Sequence, residues 1–277
     1  MTILDGKKIK AEKESELKKE ISSFNRKPGI AVIQIGNNEA SNVYIKNKEK
    51  TAKYLGCEFT HVKFDEDVKE KEVIKKIDEL NNDKSIDGIL IQMPISEHLN
   101  VNKIQNRVSA FKDIDGLTDI NAGLLVHNKD SFIPCTPKGI IEILKYYNID
   151  AKGKHVVIVG RSDLVGKPLV NLMLNNNATV TVCHSYTSNL KEITKLADIL
   201  IVAVGKKHII NEDMVKDGVV IIDVGINRVD NKLYGDVDFE NVKNKCSYIT
   251  PVPGGVGQTT VLSLYENLIK AYKINNK

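Results

Sequence analysis

Lys154-His-Val-Val-Ile-Val-Gly-Arg-Ser-Asp-Leu-Val-Gly-Lys-Pro-Leu169 is the stretch that decides the fold. His155 to Val159 is almost entirely apolar and β-branched, the composition of a strand buried on both faces. Gly160 lets the backbone turn and Gly166 allows close approach. Leu169, Val170, Leu172 and Met173 then follow at helical spacing. A glycine turn between a buried strand and a helix start aims backbone N–H groups, and the positive end of the helix dipole, at an anion. Arg161 and Ser162 add a guanidinium fork and a hydroxyl donor, both suited to phosphate. The turn reads as a nucleotide phosphate cradle, with two glycines where the G-x-G-x-x-G dinucleotide fingerprint has three.

Three more short apolar runs, 178–183, 199–204 and 219–225, follow at regular spacing with helical or loop segments between them. That is the rhythm of a parallel open sheet, whose ligands bind outside the carboxyl ends of the strands. Those ends read Gly160-Arg-Ser162, Cys183-His-Ser-Tyr-Thr187, Val204-Gly205 and Asp223-Val-Gly-Ile-Asn227. NAD-binding sheets place an acidic residue about 20 positions past the glycine turn to accept the ribose hydroxyls. Here that region has no carboxylate, whereas Arg161, His184 and Ser185 suit a ribose phosphate, so NADP is favoured over NAD.

The 277 residues, 42% hydrophobic and 27% charged, suffice for two modest domains and exclude a disordered chain. A formal charge of +4, with lysines interleaved among glutamates and no basic stripe carrying aromatics, argues against nucleic acid. Cys57, Cys135, Cys183 and Cys246 are widely spaced, which points to a reducing compartment and to no zinc site. No signal peptide or bilayer-length apolar run is seen, so a soluble cytoplasmic protein is expected.

Before the cofactor stretch, a helix is expected over 5–24 with Asp5 as N-cap, then a strand over 29–36 and a helix over 40–55. A strand over 57–64, a helix over 68–80 and a strand over 87–93 complete a β-α-β-α-β layer. Residues 112–139, rich in Asp, Asn, Gly and Pro, read as an irregular functional or joining segment, followed by a helix from Thr136-Pro137 to Tyr147. The loop 250–257 feeds a last amphipathic helix that packs on the first domain. The expected organisation is α/β with two domains. A front domain spans 1–139 and is completed by a C-terminal helix, 260–277; a Rossmann-like NADP-binding parallel sheet spans 140–259.

Tyr44 and Lys48, four apart, project from one helix face. On spacing alone the preferred reading is a half-buried tyrosine beside a surface lysine. The Tyr-x-x-x-Lys pattern of short-chain dehydrogenases is rejected, because there it follows the glycine turn. Gln92, at the end of an apolar strand, suits either a ligand or its own turn. Asp113 and Asp115 before Gly116 read as turn chemistry, and Cys135, between two prolines, as a packed thiol.

Taken together, the segments resemble the bifunctional methylenetetrahydrofolate dehydrogenase/methenyltetrahydrofolate cyclohydrolases over nearly the whole chain. The resemblance rests on Ala40-Ser-Asn-Val-Tyr44-x-x-x-Lys48, Gly88-Ile-Leu-Ile-Gln-Met-Pro94, Lys112-Asp-Ile-Asp-Gly-Leu117, Asn121-x-Gly123 and Phe132-Ile-Pro-Cys-Thr-Pro137. Val159-Gly-Arg-Ser162 with Val165-Gly-x-Pro168, Cys183-His-Ser185 and Pro251-Val-Pro-Gly-Gly-Val-Gly257 follow in family order. The resemblance implies a folate domain and an NADP domain forming a cleft, a homodimer through the cofactor domains, and a place in one-carbon metabolism serving purine biosynthesis. It implies oxidation of 5,10-methylenetetrahydrofolate by NADP and hydrolysis of the methenyl product to 10-formyltetrahydrofolate. Lys48 would be the key catalytic residue, Gln92 its tuning partner and Tyr44 the ring stacking on folate. Asp115 would bind the pterin beside Asp113, with Pro253, Gly254 and Gly255 also at the substrate. Gly160, Arg161, Ser162, Gly166, His184, Ser185 and Ile226 would hold NADP, and no metal is implied.

The chain departs from the family pattern at Met93 for the usual Leu, at Ala110 for a frequent Pro, and at Gln258-Thr259-Thr260 for the usual Pro-Met-Thr. The alternatives are a dehydrogenase lacking the hydrolytic half, a dinucleotide sensor without turnover, and an unrelated two-domain NADP dehydrogenase. Hydrolysis without cofactor, NADPH production and folate protection separate them.

Overall fold

The structure, a computed structural model, describes residues 1–276. In chain order it begins with β1 (Thr2–Ile3) and α1 (Gly6–Ser22), whose start is capped by the Asp5 carboxylate accepting from Lys7 N at 2.8 Å. Next come β2 (Gly29–Ile35), α2 (Glu39–Leu55), β3 (Glu58–Phe64), α3 (Glu70–Asn82), β4 (Gly88–Ile91), α4 (Val101–Gln105) and α5 (Asp119–Val126). Then follow α6 (Cys135–Tyr146), β5 (His155–Val159), α7 (Gly166–Asn175), β6 (Thr179–Cys183), α8 (Leu190–Thr194) and β7 (Ile199–Val202). The chain closes with β8 (Val219–Asp223), β9 (Asn227–Val229), β10 (Lys232–Tyr234), α9 (Phe239–Val242), β11 (Cys246–Ile249) and α10 (Val256–Asn275).

Two compact units result: one of residues 12–135 and 261–276, the other of residues 1–11 and 136–260. The first holds a parallel sheet in the order β3-β2-β4. All seven residues of β2 are buried, as a central strand covered on both faces requires. Ala31, Ile33 and Ile35 pack under Val73, Ile77 and Leu80 of α3, one side of a dry core. With β2 first, β3 second and β4 third, the order reverses between β2 and β4. This is the switch point outside which open α/β sheets bind ligands.

The second unit holds a six-stranded parallel sheet, β1-β11-β8-β7-β5-β6. Leaving β1 aside, the order is that of a doubly wound 2-1-3-4-5 sheet, with its switch point between β5 and β7. β5, β7 and β8 are buried nearly throughout, and Val157, Leu200 and Ile221 share one face of the core.

Three expectations change. Residues 1–11, placed by sequence with the front domain, lie in the second unit: Thr2 and Ile3 pair with Tyr248 and Ile249, and Leu4 is fully buried. Two residues are too few to show a period. The segment 112–139 is not irregular throughout, since it contains α5, capped by the Thr118 hydroxyl accepting from Asn121 N. Its Asn and Gly content masked a cap followed by Asp119 in the first turn. The hairpin β9–β10 was also missed. Its turn residues, Asp230 and Asn231, both have positive φ (48° and 59°), the backbone that a two-residue type I′ turn needs.

Candidate functional site

In the first unit the side chains converge at the switch point. The Asn38 carboxamide caps α2 by accepting from Ser41 N at 3.1 Å, and the Ser41 hydroxyl donates to Met93 O at 3.2 Å. These contacts hold the start of α2 beside the end of β4. Farther along α2, Lys48 Nζ donates to Gln92 Oε1 at 2.8 Å, while Gln92 Nε2 donates to Met93 O at 2.8 Å. Both ends of the Gln92 amide are therefore used, one on the Lys48 ammonium and the other on its own turn. The backbone of Lys48 is held as well, its carbonyl accepting from the buried Tyr265 hydroxyl of α10. Tyr44, one turn earlier, leaves its ring 47% exposed and free to stack on a planar ligand.

The Lys112-Asp-Ile-Asp-Gly116 run gives each residue a separate task. Lys112 turns inward and its ammonium donates to Leu80 O (3.0 Å) and Asp83 O (2.7 Å), closing the carboxyl end of α3. The Asp113 carboxylate folds back on its own loop and accepts from Leu117 N, Thr118 N, the Thr118 hydroxyl and Asn121 Nδ2. Four donors occupy it, so Asp113 builds the loop, as turn chemistry anticipates. Ile114 is fully buried. Asp115 lies within electrostatic reach of Lys48. Gly116, at φ 70°, lets the loop press on Phe132–Pro134, where a Cβ would come within 2.6 Å of Phe132 O.

The electrostatics of this group are those of charges partly removed from water. Burial pushes the Lys48 ammonium below its ordinary 10.5, and the nearby Asp115 carboxylate only partly offsets that. Burial likewise pushes Asp115 up, against the pull of Lys48 and a hydrogen bond from the Cys135 thiol. Cys135 is buried, as a packed thiol should be, and also reaches Ile114 O at 3.5 Å. Its link to Asp115 had no signal in the sequence, because twenty residues separate the two.

The second unit carries the cradle. Gly160 has φ 127°, and a Cβ there would overlap the carbonyl oxygen of Ala203; one on Gly166 would overlap that of Gly160. Both positions thus require glycine, leaving a close-set turn at the N-terminus of α7. The Ser162 hydroxyl accepts from Val165 N at 3.2 Å, and Arg161 is exposed with its guanidinium 5.6 Å from the Tyr186 ring centroid. His184 Nδ1 accepts from Tyr186 N at 3.2 Å, which leaves the ring proton on Nε2 as a donor. Ser185 is exposed in the same turn. This donor set, guanidinium, hydroxyls and imidazole N–H with no carboxylate, fits a dinucleotide carrying a ribose phosphate.

Ile226, exposed, follows β8, and Gly257 lies 3.8 Å from its Cδ1 when given a Cβ. Pro253, Gly254 and Gly255 also lie in the second unit, apart in the chain's division from Lys48 and Asp115. There Gly254 O accepts from Gly6 N at 3.0 Å. Among the described residues no cluster of His, Cys, Asp and Glu could hold a metal ion.

A family model described as the tetrahydrofolate dehydrogenase/cyclohydrolase catalytic domain matches residues 4–115, and one described as the family's NAD(P)-binding domain matches residues 134–276. The bifunctional protein FolD of Campylobacter hominis is 49% identical over 277 residues, covering 99% of this chain and 98% of the relative. The crystal structure of the bifunctional FolD methylenetetrahydrofolate dehydrogenase/cyclohydrolase from Campylobacter jejuni superposes with a TM-score of 0.97 at 43% identity, covering 99% of both chains. The Trypanosoma brucei enzyme, solved with NADP cofactor and inhibitor, superposes at 0.94 with 30% identity, covering 99% of this chain and 98% of that one. With both halves matched by its models and relatives alike from end to end, the chain belongs to the tetrahydrofolate dehydrogenase/cyclohydrolase family.

Proposed function

We propose that this chain oxidises 5,10-methylenetetrahydrofolate with NADP and hydrolyses the 5,10-methenyl product to 10-formyltetrahydrofolate, with Lys48 handling the proton of the second step. The observation that carries this reading is the Lys48–Gln92 hydrogen bond of 2.8 Å, made by a lysine whose ammonium burial destabilises. NADP, when bound, supplies the hydride acceptor, and Gly160, Arg161, Ser162, Gly166, His184 and Ser185 are the residues that would hold it. Hydride transfer needs proximity and exclusion of water more than it needs an acid or base.

Hydrolysis is different. Water adds its oxygen to the methenyl carbon and the bond from that carbon to N5 breaks. One water proton ends on N5 and the other is released. A neutral Lys48 amine can take that released proton, and Gln92 holds the nitrogen in place as it changes charge. Asp115 accepts the paired amino and ring N–H donors of the pterin, and Tyr44 stacks on its face. Asp113 supports this arrangement by building the loop that presents Asp115.

The wider reading is a cytoplasmic homodimer joined through its cofactor domains, whose product serves purine biosynthesis. Family membership supports the dimer and the pathway. Four buried cysteines, none of them in a disulfide among the described residues, suit a reducing compartment, and no helix of the described residues is long and apolar enough to cross a membrane. The deciding experiment follows methylenetetrahydrofolate with NADP, and methenyltetrahydrofolate without cofactor, by absorbance. Lys48→Ala should abolish the hydrolysis while NADP binding survives. Near-wild-type hydrolysis in that variant would refute the role given to Lys48.

A further inference from the structure

Two buried carboxylates outside the groups above tie together the loops at the carboxyl end of the six-stranded sheet. Asp236 is fully buried. Its carboxylate accepts from three successive backbone N–H groups, Val204 (2.7 Å), Gly205 (3.0 Å) and Lys206 (2.8 Å), and from Asn227 Nδ2 at 2.9 Å. Asp223, at the end of β8, accepts from Gly225 N at 3.0 Å and from Asp236 N and Val237 N, both at 2.9 Å. The Asp223 backbone N–H in turn donates to the Thr250 hydroxyl at 2.8 Å, where the 250–257 loop begins. Gly225 and Gly235 face these carboxylates so closely that a Cβ on either would overlap them.

Three successive N–H groups turned to one point form a nest, a concavity that ordinarily receives an anionic ligand. Here Asp236 fills it. The nest belongs to the loop after β7, which flanks the switch point, and the preceding Ala203 carbonyl is the atom against which Gly160 packs. The loop therefore cannot lend these amides to a phosphate, and its position beside the Gly160 turn is set by an internal charge.

We infer that Asp236 is a positioning residue for the dinucleotide: by occupying the 204–206 nest with its own carboxylate it holds that loop in the conformation that receives the cofactor beside the Gly160–Gly166 turn. This rests on the reading of the second unit as the NADP site. An amide in place of the carboxylate keeps one accepting oxygen and turns an NH2 group to the remaining backbone donor or donors, so the loop relaxes to satisfy them elsewhere.

The test uses the full chain with Asp236→Asn, whose amide matches the carboxylate in shape and lacks its charge. NADP affinity is measured by direct titration without folate, alongside the KM for NADP, kcat at saturating NADP, and methenyl hydrolysis without cofactor. The dissociation constant and KM for NADP should both rise at least tenfold, kcat should fall less than threefold, and hydrolysis, which is assigned to Lys48, Gln92 and Asp115 of the other unit, should stay within twofold. Unchanged NADP affinity overturns the inference, and so does an equal loss of both activities with a collapsed melting temperature. If the variant does not fold, Asn227→Ala decides, since it removes the side-chain donor that aims Asp236 Oδ1 at Lys206 N and so loosens the carboxylate in its nest. A threefold or greater weakening of NADP supports the inference, and no change overturns it. Wild-type protein that binds NADP yet forms no NADPH from methylenetetrahydrofolate would sink the proposed function, while the binding comparison between variants would still stand.

Discussion

Lys48 is the residue to which the proposed hydrolysis assigns the proton, and its protonation has consequences for both rate and stability. Because burial lowers its pKa, the amine becomes available below the ordinary 10.5 of a solvated lysine. Cofactor-free hydrolysis should therefore rise with pH and level off before 10.5, which a pH–rate profile would read. The linkage has a definite sign. Between the lowered value and 10.5 the unfolded chain binds more protons than the folded one, so the contribution of Lys48 to stability grows with pH across that window. Replacing it by Met should raise the melting temperature at neutral pH, with a gain that shrinks as the pH approaches 10.5. A gain that grew with pH would contradict the direction assigned. Arg161 makes a second prediction at this scale. A charge-assisted contact to phosphate contributes about 2 kcal/mol, roughly thirtyfold in affinity. Arg161→Ala should weaken NADP by about that factor and NAD by less than threefold, measured by titration; equal losses would remove Arg161 from the ribose phosphate.

Among the elements, the turn into α7 has the least tolerance. A Cβ on Gly166 would overlap the Gly160 carbonyl, a backbone atom that cannot move aside without opening the turn. Gly166→Ala should therefore cost the protein NADP affinity by at least tenfold. Cofactor-free hydrolysis should be retained, because Lys48, Gln92 and Asp115 all belong to the other unit. Unaltered NADP binding in the variant would show that the close approach is dispensable. β5, β7 and β8 were readable because their Val and Ile runs are unbroken, and α2 because Tyr44, Lys48 and Ala52 recur at helical spacing. The short elements were not. β1, β11 and the β9–β10 hairpin have two to four residues each, and they exist because a neighbour supplies the hydrogen bonds.

For the molecule as a whole, the first unit is closed by an ion pair at the end of the sheet opposite Lys48. Arg26 grips the fully buried Asp87 through Nη1 at 2.7 Å and Nη2 at 2.6 Å. Asp87 also accepts from Gly29 N at 2.9 Å and from Asn276 Nδ2 at 3.2 Å, so strand, loop and the turn after the last helix share one carboxylate. The Arg26 guanidinium stands 4.9 Å from the Tyr272 ring, which stacks on Phe24. Removing the cation leaves a buried carboxylate without its partner, a loss on the order of 3–5 kcal/mol. Arg26→Ala should therefore lower stability by about 3 kcal/mol in a urea titration. A loss under 1 kcal/mol, the usual worth of an exposed pair, would show that solvent reaches Asp87.

The sequence by itself determined the α/β class, the parallel sheet of the cofactor half, the glycine turn at its first strand, and the absence of a carboxylate from the turn after its second strand. Each of these is local: it follows from side-chain period, from the backbone freedom of glycine, or from the charge of a few adjacent residues. It also placed Tyr44 and Lys48 on one helix face but could not say whether that face was buried. Only the tertiary structure decided that Lys48 bonds Gln92 within electrostatic reach of Asp115, that Asp113 serves its own loop, and that Asp236 fills a nest made by residues some thirty positions before it. The reason is desolvation. The protonation and partners of a buried polar group are set by whatever the fold packs around it, and those neighbours come from distant parts of the chain.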